Sequence, residues 1–437
     1  MPWAGPTTLS EPFTLSAGRS LVPVSATLAA NEVMATRRRA GQPVLPLAFG
    51  ESGLPVPWRL QAELASAAGY GAYGPVAGLQ VLREAAAGYW SRRGTPTNPE
   101  RVLAGPGSKA LLFGLLLALG TDVAMPQPSW VTYAAQARLT GFAPHFVPAV
   151  PGEGGVCDPA ALEEAVLSAR AAGRRIGAVL VTLPDNPTGR VASPDAIREL
   201  CAVAERYDLI ILSDEIYRDL IHDSATPFVS PASVVPDRTV VTTALSKSMS
   251  VGGWRLGVAR MPDGPAGRAL RDRLIGIGSE IWSAAPVPVQ HAAAVAFAEP
   301  AELAEHVRRA RLLHAAVACE AARIFDAAGV KVAAPQAAFY LYPDFAPWRP
   351  HLSAKYGVAT GTALAALLLE RYGAGTLAGS AFGEAPAALR LRVATGLLYG
   401  DGAQQREDAL TASDPLKLPW IAAAMNRLSE ILTDLAA

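Results

Sequence analysis

Cysteine is scarce in this 437-residue chain: Cys157, Cys201 and Cys319 are far apart and odd in number. No C-x-x-C pair occurs, so neither a disulfide framework nor a zinc ribbon is supported and no metal site is expected. The ordinary role of each cysteine is that of a small buried hydrophobe. Long apolar runs are also missing. The longest, residues 110–119, is too short to cross a bilayer, and the N-terminus lacks the basic-then-apolar pattern of a secretory signal. These absences predict a soluble chain in the reducing cytoplasm, with no membrane partner. Charge of one sign is not in excess either: Lys+Arg and Asp+Glu both total 38. A net charge of zero removes the usual argument for nucleic acid or an anionic surface as partner. Lysine itself is rare, with five in a chain otherwise rich in arginine.

What is present is apolar: 51% of residues are hydrophobic and 17% charged, a globular composition able to bury a large core. Length suggests two or three domains. From Val44 onward, short apolar runs alternate with Ala/Leu-rich helical stretches. Strands are predicted at 102–104, 123–125, 178–182, 209–212 and 239–243, and helices at 108–119, 160–172 and 194–207. Buried β-branched strands alternating with helices predict an α/β fold with a mainly parallel sheet flanked by helices. Beyond about residue 300 the texture changes to a long helix (301–328) and short strands near 330–332, 339–341 and 389–393, the pattern of a smaller α+β domain. Proline-rich patches at 343–350 and 414–419 predict loops. The first forty residues read as irregular, with Arg37-Arg38-Arg39 as a solvated helix end.

Three segments can carry chemistry. In ALSKSMSVGGWRLG (244–257), Lys247 follows a predicted strand, and Arg255 lies eight residues on in a glycine-containing loop. Lysine can form an imine with a carbonyl and arginine cannot, and so apolar a stretch suits a surface lysine poorly. In VTLPDNPTGR (181–190), a strand end is punctuated by Asn-Pro and Thr-Gly, which by itself reads as a turn. In IILSDEIYRDL (210–220), Asp214 and Tyr217 sit where a buried strand ends, the place where ligands bind in parallel sheets. A lone carboxylate there could equally cap a helix.

Together, and in order, Gly107-Ser108, PQPSWVTY (126–133), NPTG (186–189), SDEIY (213–217), SKSMSVGGWRLG (246–257) and PQAAFYLYP (335–343) resemble the class I/II pyridoxal 5'-phosphate-dependent aminotransferases, over about residues 49–393. The resemblance implies an N-terminal arm with part of the small domain (1–64), a large cofactor-binding domain (65–300) and a C-terminal small domain (301–437). It implies that Lys247 joins the cofactor as a Schiff base and then moves a proton. Asp214 would pair with the pyridine nitrogen, and Asn186 and Tyr217 would hydrogen-bond the phenolic oxygen. Trp130 would stack on the ring. Arg255 and the backbone of Gly107 and Ser108 would hold the phosphate, with Ser246 or Thr243 in place of the serine that the family often has at Ala244. Tyr73 would reach the phosphate in a neighbouring subunit, implying a homodimer with shared active sites.

For the substrate, an amino acid with a free α-carboxylate, the resemblance points to Arg390 in ALRLRVATG, with Gly50 and Asn186 beside it. Arg392, two residues along the same putative strand and so on the same face, is the other candidate. The sequence departs from the family's pattern at Ala244, at Ala337, in ESGLPVP (51–57), and in an apparent insertion at 399–419. Apart from Ala244, these departures cluster on the substrate side. The expected activity is therefore transamination between an amino acid and a 2-oxo acid. The alternatives are elimination or replacement, a cyclase or an oxidase on the same scaffold, and a non-enzymatic ligand-binding module.

Overall fold

A computed structural model describes residues 22–437. Its centre is a seven-stranded sheet in the order Val102–Gly105, Gly257–Arg260, Thr239–Ala244, Ile210–Asp214, Ile176–Thr182, Asp122–Gln127 and Pro144–Pro148. All strands run parallel except Gly257–Arg260, which is antiparallel to both its neighbours. The Ile176–Thr182 and Thr239–Ala244 strands are buried along their whole length, as expected where helices cover both faces. One helical layer includes Ser108–Leu119, whose Leu111, Leu112, Leu115 and Leu116 are buried against the sheet. The other includes Pro194–Tyr207, an amphipathic helix begun by a Ser193 side-chain cap and a proline in its first turn.

The smaller domain has its own core. It gathers Leu45, Leu47 and Leu54 from the N-terminal part of the chain with residues from the long Ala301–Ala327 helix and the C-terminal Pro419–Ala436 helix. A three-stranded antiparallel sheet, in the order Leu377–Ala378, Leu391–Ala394, Tyr340–Leu341, faces the large domain.

Several expectations are corrected. Residues 330–332 form no strand; Lys331 makes a single bridge to Asp344. The strands Pro144–Pro148 and Gly257–Arg260 were not foreseen. The proline patches are not plain loops, because short 3-10 turns at Ala346–Trp348 and Pro415–Lys417 lead directly into helices that carry proline in the first turn. Residues Ala26–Arg39 form a helix, ending on the three arginines; the rest of the irregular N-terminal expectation, residues 1–21, lies outside the described residues. That helix has no side-chain N-cap and one buried residue, Met34, which packs so closely on Gly375 that a Cβ there would overlap its sulfur.

Candidate active site

The carboxyl ends of the parallel strands open on a cavity of about 620 Å³ between the two domains. Successive strand ends deliver the predicted residues to it. Ser108 starts the helix after Val102–Gly105, and Trp130 follows Asp122–Gln127. Asn186 follows Ile176–Thr182, Asp214 closes Ile210–Asp214, and Lys247 follows Thr239–Ala244. This convergence is the general consequence of a parallel sheet, whose connections all leave from the same edge.

Lys247 Nζ donates to the carbonyl of Gly50 at 2.5 Å. Burial, reinforced by Arg392, Arg255 and Lys109, lowers its pKa to about 8, while Glu51 acts in the opposite sense. A substantial fraction of this amine is therefore neutral near pH 8, as a nucleophile or base requires.

Asp214 lies on the cavity floor, 2% exposed. Its carboxylate accepts from Tyr133 Oη at 2.9 Å and Thr242 Oγ1 at 3.2 Å. Burial dominates and raises its pKa to about 6 despite these donors. Among the described residues no cation pairs with it, so a buried carboxylate faces the cavity with its charge uncompensated.

Tyr217 Oη shares a 2.8 Å hydrogen bond with Tyr340 Oη, and Asn186 Nδ2 reaches Tyr217 Oη at 3.5 Å. Burial first, and then the neighbouring Tyr340, holds the Tyr217 phenol well above its ordinary pKa, so it remains a neutral donor. Gly50 is needed for space, since any Cβ there would overlap the Tyr340 hydroxyl. A Cβ on Gly107 would come within 2.5 Å of the Arg255 guanidinium, and one on Gly257 would strike the backbone of Ser108. Ser108, Arg255 and Lys109 thus crowd one end of the cavity, at the N-terminus of an apolar helix. That is an anion cradle by donor set and by dipole. Ser246 lines the same cavity.

The arginine expectation is corrected. The Arg390 side chain is 44% exposed and lies in a different cleft, held by Asp344 at 3.1 Å and Glu384 at 2.6 Å. Arg392 is 1% exposed and lines the active cavity. Its guanidinium stands 5.0 Å over the Tyr340 ring and 5.4 Å over Phe382, meets Asn186 Oδ1 at 3.5 Å and donates to the carbonyl of Ala48. Two residues along a strand is a displacement of about 6.6 Å. Sharing a face therefore does not put both arginines in one site; Arg390 falls beyond the wall.

Tyr73 does not line this cavity; it is 91% exposed in the segment before Gly78. The structure also brings in residues with no role assigned from sequence. Tyr133 and Thr182 share a 2.7 Å hydrogen bond beside Asp214, and Tyr133 is three residues past Trp130, the helical spacing that aims both side chains one way. Lys109 stands 5.1 Å over the Trp130 ring. Ser25, Thr27 and Leu28, at the start of the N-terminal helix, form part of the wall, and no local sequence signal marks them.

The family model for aminotransferases of class I and II matches residues 44–397. A probable aspartate/prephenate aminotransferase of Thermus aquaticus is 31% identical over 78% of this chain and 90% of its own length. The aspartate aminotransferase of Geobacillus stearothermophilus is 31% identical over 86% of this chain and 93% of its own length. The structure of aspartate aminotransferase from Thermus thermophilus with maleate superposes with a TM-score of 0.77 at 26% identity, covering 94% of this chain and all of that one.

Proposed function

The chain belongs to the class I and II aminotransferase family and is a pyridoxal-phosphate-dependent transferase, and we propose that it transfers the amino group of a dicarboxylic amino acid to a 2-oxo acid, with Lys247 as its catalytic amine. The observation that carries this reading is a pair of buried charges that form no ion pair among the described residues and line one cavity with Lys247: Asp214 on the floor and Arg392 on the small-domain wall.

The residues present fit the cofactor. An uncompensated buried carboxylate suits a protonated pyridine nitrogen, the crowded cradle of Ser108 and Arg255 suits a phosphate, and Lys247 is the amine between them. When bound, pyridoxal phosphate supplies a carbonyl that condenses with amines and a ring that withdraws electrons from the substrate α-carbon. Trp130 would face that ring, Asn186 and Tyr217 would donate to or accept from its phenolic oxygen, and Ser246 would add a phosphate contact.

This chain's own part is positioning and proton transfer. Arg392 binds the α-carboxylate through a planar fork that Asn186 and the Ala48 carbonyl keep oriented. Lys247 Nζ, lowered toward neutrality, takes the proton from the substrate α-carbon. Asp214 stays ionised because its new partner is a cation, and Tyr133 and Thr242 hold it in place. Lys109 stays with Ser108 and Arg255 at the phosphate end, over Trp130, so the choice of a dicarboxylic donor rests on the aspartate aminotransferase names of the relatives.

Tyr73, exposed in the single chain, supports a homodimer in which it reaches the partner's phosphate site. The three unpaired cysteines support a reducing cytoplasmic setting, and no single helix among the described residues is long and apolar enough to cross a membrane. The test is a screen of the holoenzyme with single amino acids and 2-oxo acids, reading product amino acids by mass. Aspartate or glutamate as preferred donor is expected. Turnover confined to apolar donors, with acidic ones inert, would refute the dicarboxylic preference.

A further inference from the structure

A second cavity, of about 730 Å³, lies on the small domain away from the active site. Its polar wall is mainly cationic: Arg38, Arg406 and Arg427 face it against a single carboxylate, Asp401. Arg38 and Arg406 form no ion pair among the described residues, and Arg427 meets only the exposed Glu430, at 3.3 Å. Arg406 Nε is fixed to the Gly400 carbonyl at 3.0 Å, which leaves its two terminal nitrogens for a ligand. The remaining wall is largely apolar and aromatic. Trp420 is anchored by a 2.8 Å bond from Nε1 to the Tyr399 carbonyl, and Tyr372 is held by Asp434 at 2.6 Å. Clefts of this size with an aromatic wall and a few convergent polar groups are the usual form of a small-molecule site.

All three arginines lie outside the span shared with the family, residues 44–397. Arg406 and Trp420 belong to or border the segment inserted after Tyr399, whose Ala403–Thr411 helix builds one side of the cleft. Three segments then run from this cavity to the active one. The N-terminal helix carries Arg38 at its end, while Ser25, Thr27 and Leu28 at its start line the active cavity; fourteen residues span about 21 Å. Residues Leu45 and Pro46 line the second cavity, and Gly50 and Glu51 the first. Leu397 and Leu398 line the second, and Arg392 the first. The latter two segments are joined by the Ala394 N–H to Leu47 carbonyl bond at 2.8 Å.

We propose that this cleft binds a small organic anion carrying a flat ring, with the anionic group on Arg38, Arg406 and Arg427 and the ring against Trp420, and that its occupancy changes the affinity of the active site by holding the N-terminal helix. The binding claim goes beyond the aminotransferase reading and does not depend on it. Calorimetric titration of the holoenzyme with two probes, adenosine monophosphate and benzoate, separates phosphate from carboxylate as the preferred group. At least one probe binds the wild type and Arg392→Met alike. Binding weakens at least about tenfold in Arg38→Ala/Arg427→Ala and in Arg406→Gln. The probe shifts the KM for the amino acid in the wild type and not in the double variant. Two results overturn the site: no heat from either probe up to about 10 mM, or binding that is lost with Arg392 and kept without the three arginines. An unchanged KM at saturating probe overturns the coupling.

Discussion

Replacing Arg392 by methionine separates substrate recognition from stability. In the substrate complex the guanidinium would be one half of a desolvated charge pair, since it is 1% exposed and its other contacts are the rings of Tyr340 and Phe382, Asn186 and one carbonyl. Removing one member of such a pair costs roughly 2–5 kcal/mol. At about 1.4 kcal/mol per decade this is roughly a 30- to 4,000-fold fall in kcat/KM. The unliganded protein should respond differently. Its Arg392 is a buried cation without a carboxylate, its Nε has no partner among the described residues, and burial lowers its pKa. Methionine fills similar volume without charge, so the melting temperature of Arg392→Met should not fall. Arg390→Ala is the internal control: its side chain lies in a different cleft, so kcat/KM should change less than about fivefold. The assay is steady-state kinetics with varied amino acid, alongside calorimetric melting of all three proteins. A large loss in Arg390→Ala with Arg392→Met near normal would refute the geometric assignment.

Four further outcomes follow from the same structure. Asp214→Ala should retain the fold yet lose more than about a hundredfold in transamination rate, because the buried counter-charge is gone; single-turnover kinetics reads this. Tyr133→Phe removes one of the two side-chain donors to Asp214, so the acidic limb of the unliganded enzyme's absorbance-pH profile should move upward. Asp185 is fully buried, its Oδ1 has no partner among the described residues, and desolvation raises its pKa to about 7. Because the folded pKa exceeds the unfolded one, its stability contribution is complete below about pH 4 and is lost as pH rises through about 7. Asp185→Asn should therefore gain melting temperature relative to wild type between pH 5 and 8, with about 4 kcal/mol as the upper bound, and an equal difference at both pH values would refute the assignment. Mixing inactive Lys247→Ala with inactive Tyr73→Ala subunits should restore activity if sites are shared between protomers; a mixture that stays inactive although the subunits exchange contradicts sharing.

Most of the large domain was legible because its strands are short, β-branched and bounded. The predicted helix 194–207 matches Pro194–Tyr207, and 178–182 lies within Ile176–Thr182. Two strands escaped for physical reasons. Pro144–Pro148 begins and ends on proline and pairs on one side only, at the sheet edge. Gly257–Arg260 begins on glycine and follows the glycine-containing lysine loop. The N-terminal helix has neither a cap nor a strong apolar face; its docking on Gly375 is a tertiary contact invisible to local pattern. The convergence of Ser108, Asn186, Asp214 and Lys247 on one cavity was readable because each lies at or just after a strand end, whereas Arg255 precedes a strand and Tyr73 lies outside the cavity. The substrate side was not, because the choice between Arg390 and Arg392 depends on where the strand passes the cavity wall, and the Tyr217–Tyr340 bond joins residues 123 positions apart.

The central claim is that Lys247 is the amine that engages the cofactor. Two lysines line the cavity, Lys247 and Lys109. Borohydride reduction of the pyridoxal-phosphate-loaded enzyme, followed by proteolysis and peptide mass analysis, distinguishes them. The predicted result is a single reduced pyridoxyl adduct on the peptide containing Lys247, absent from Lys247→Ala. An adduct on Lys109 in the wild type, or normal turnover by Lys247→Ala, would contradict it.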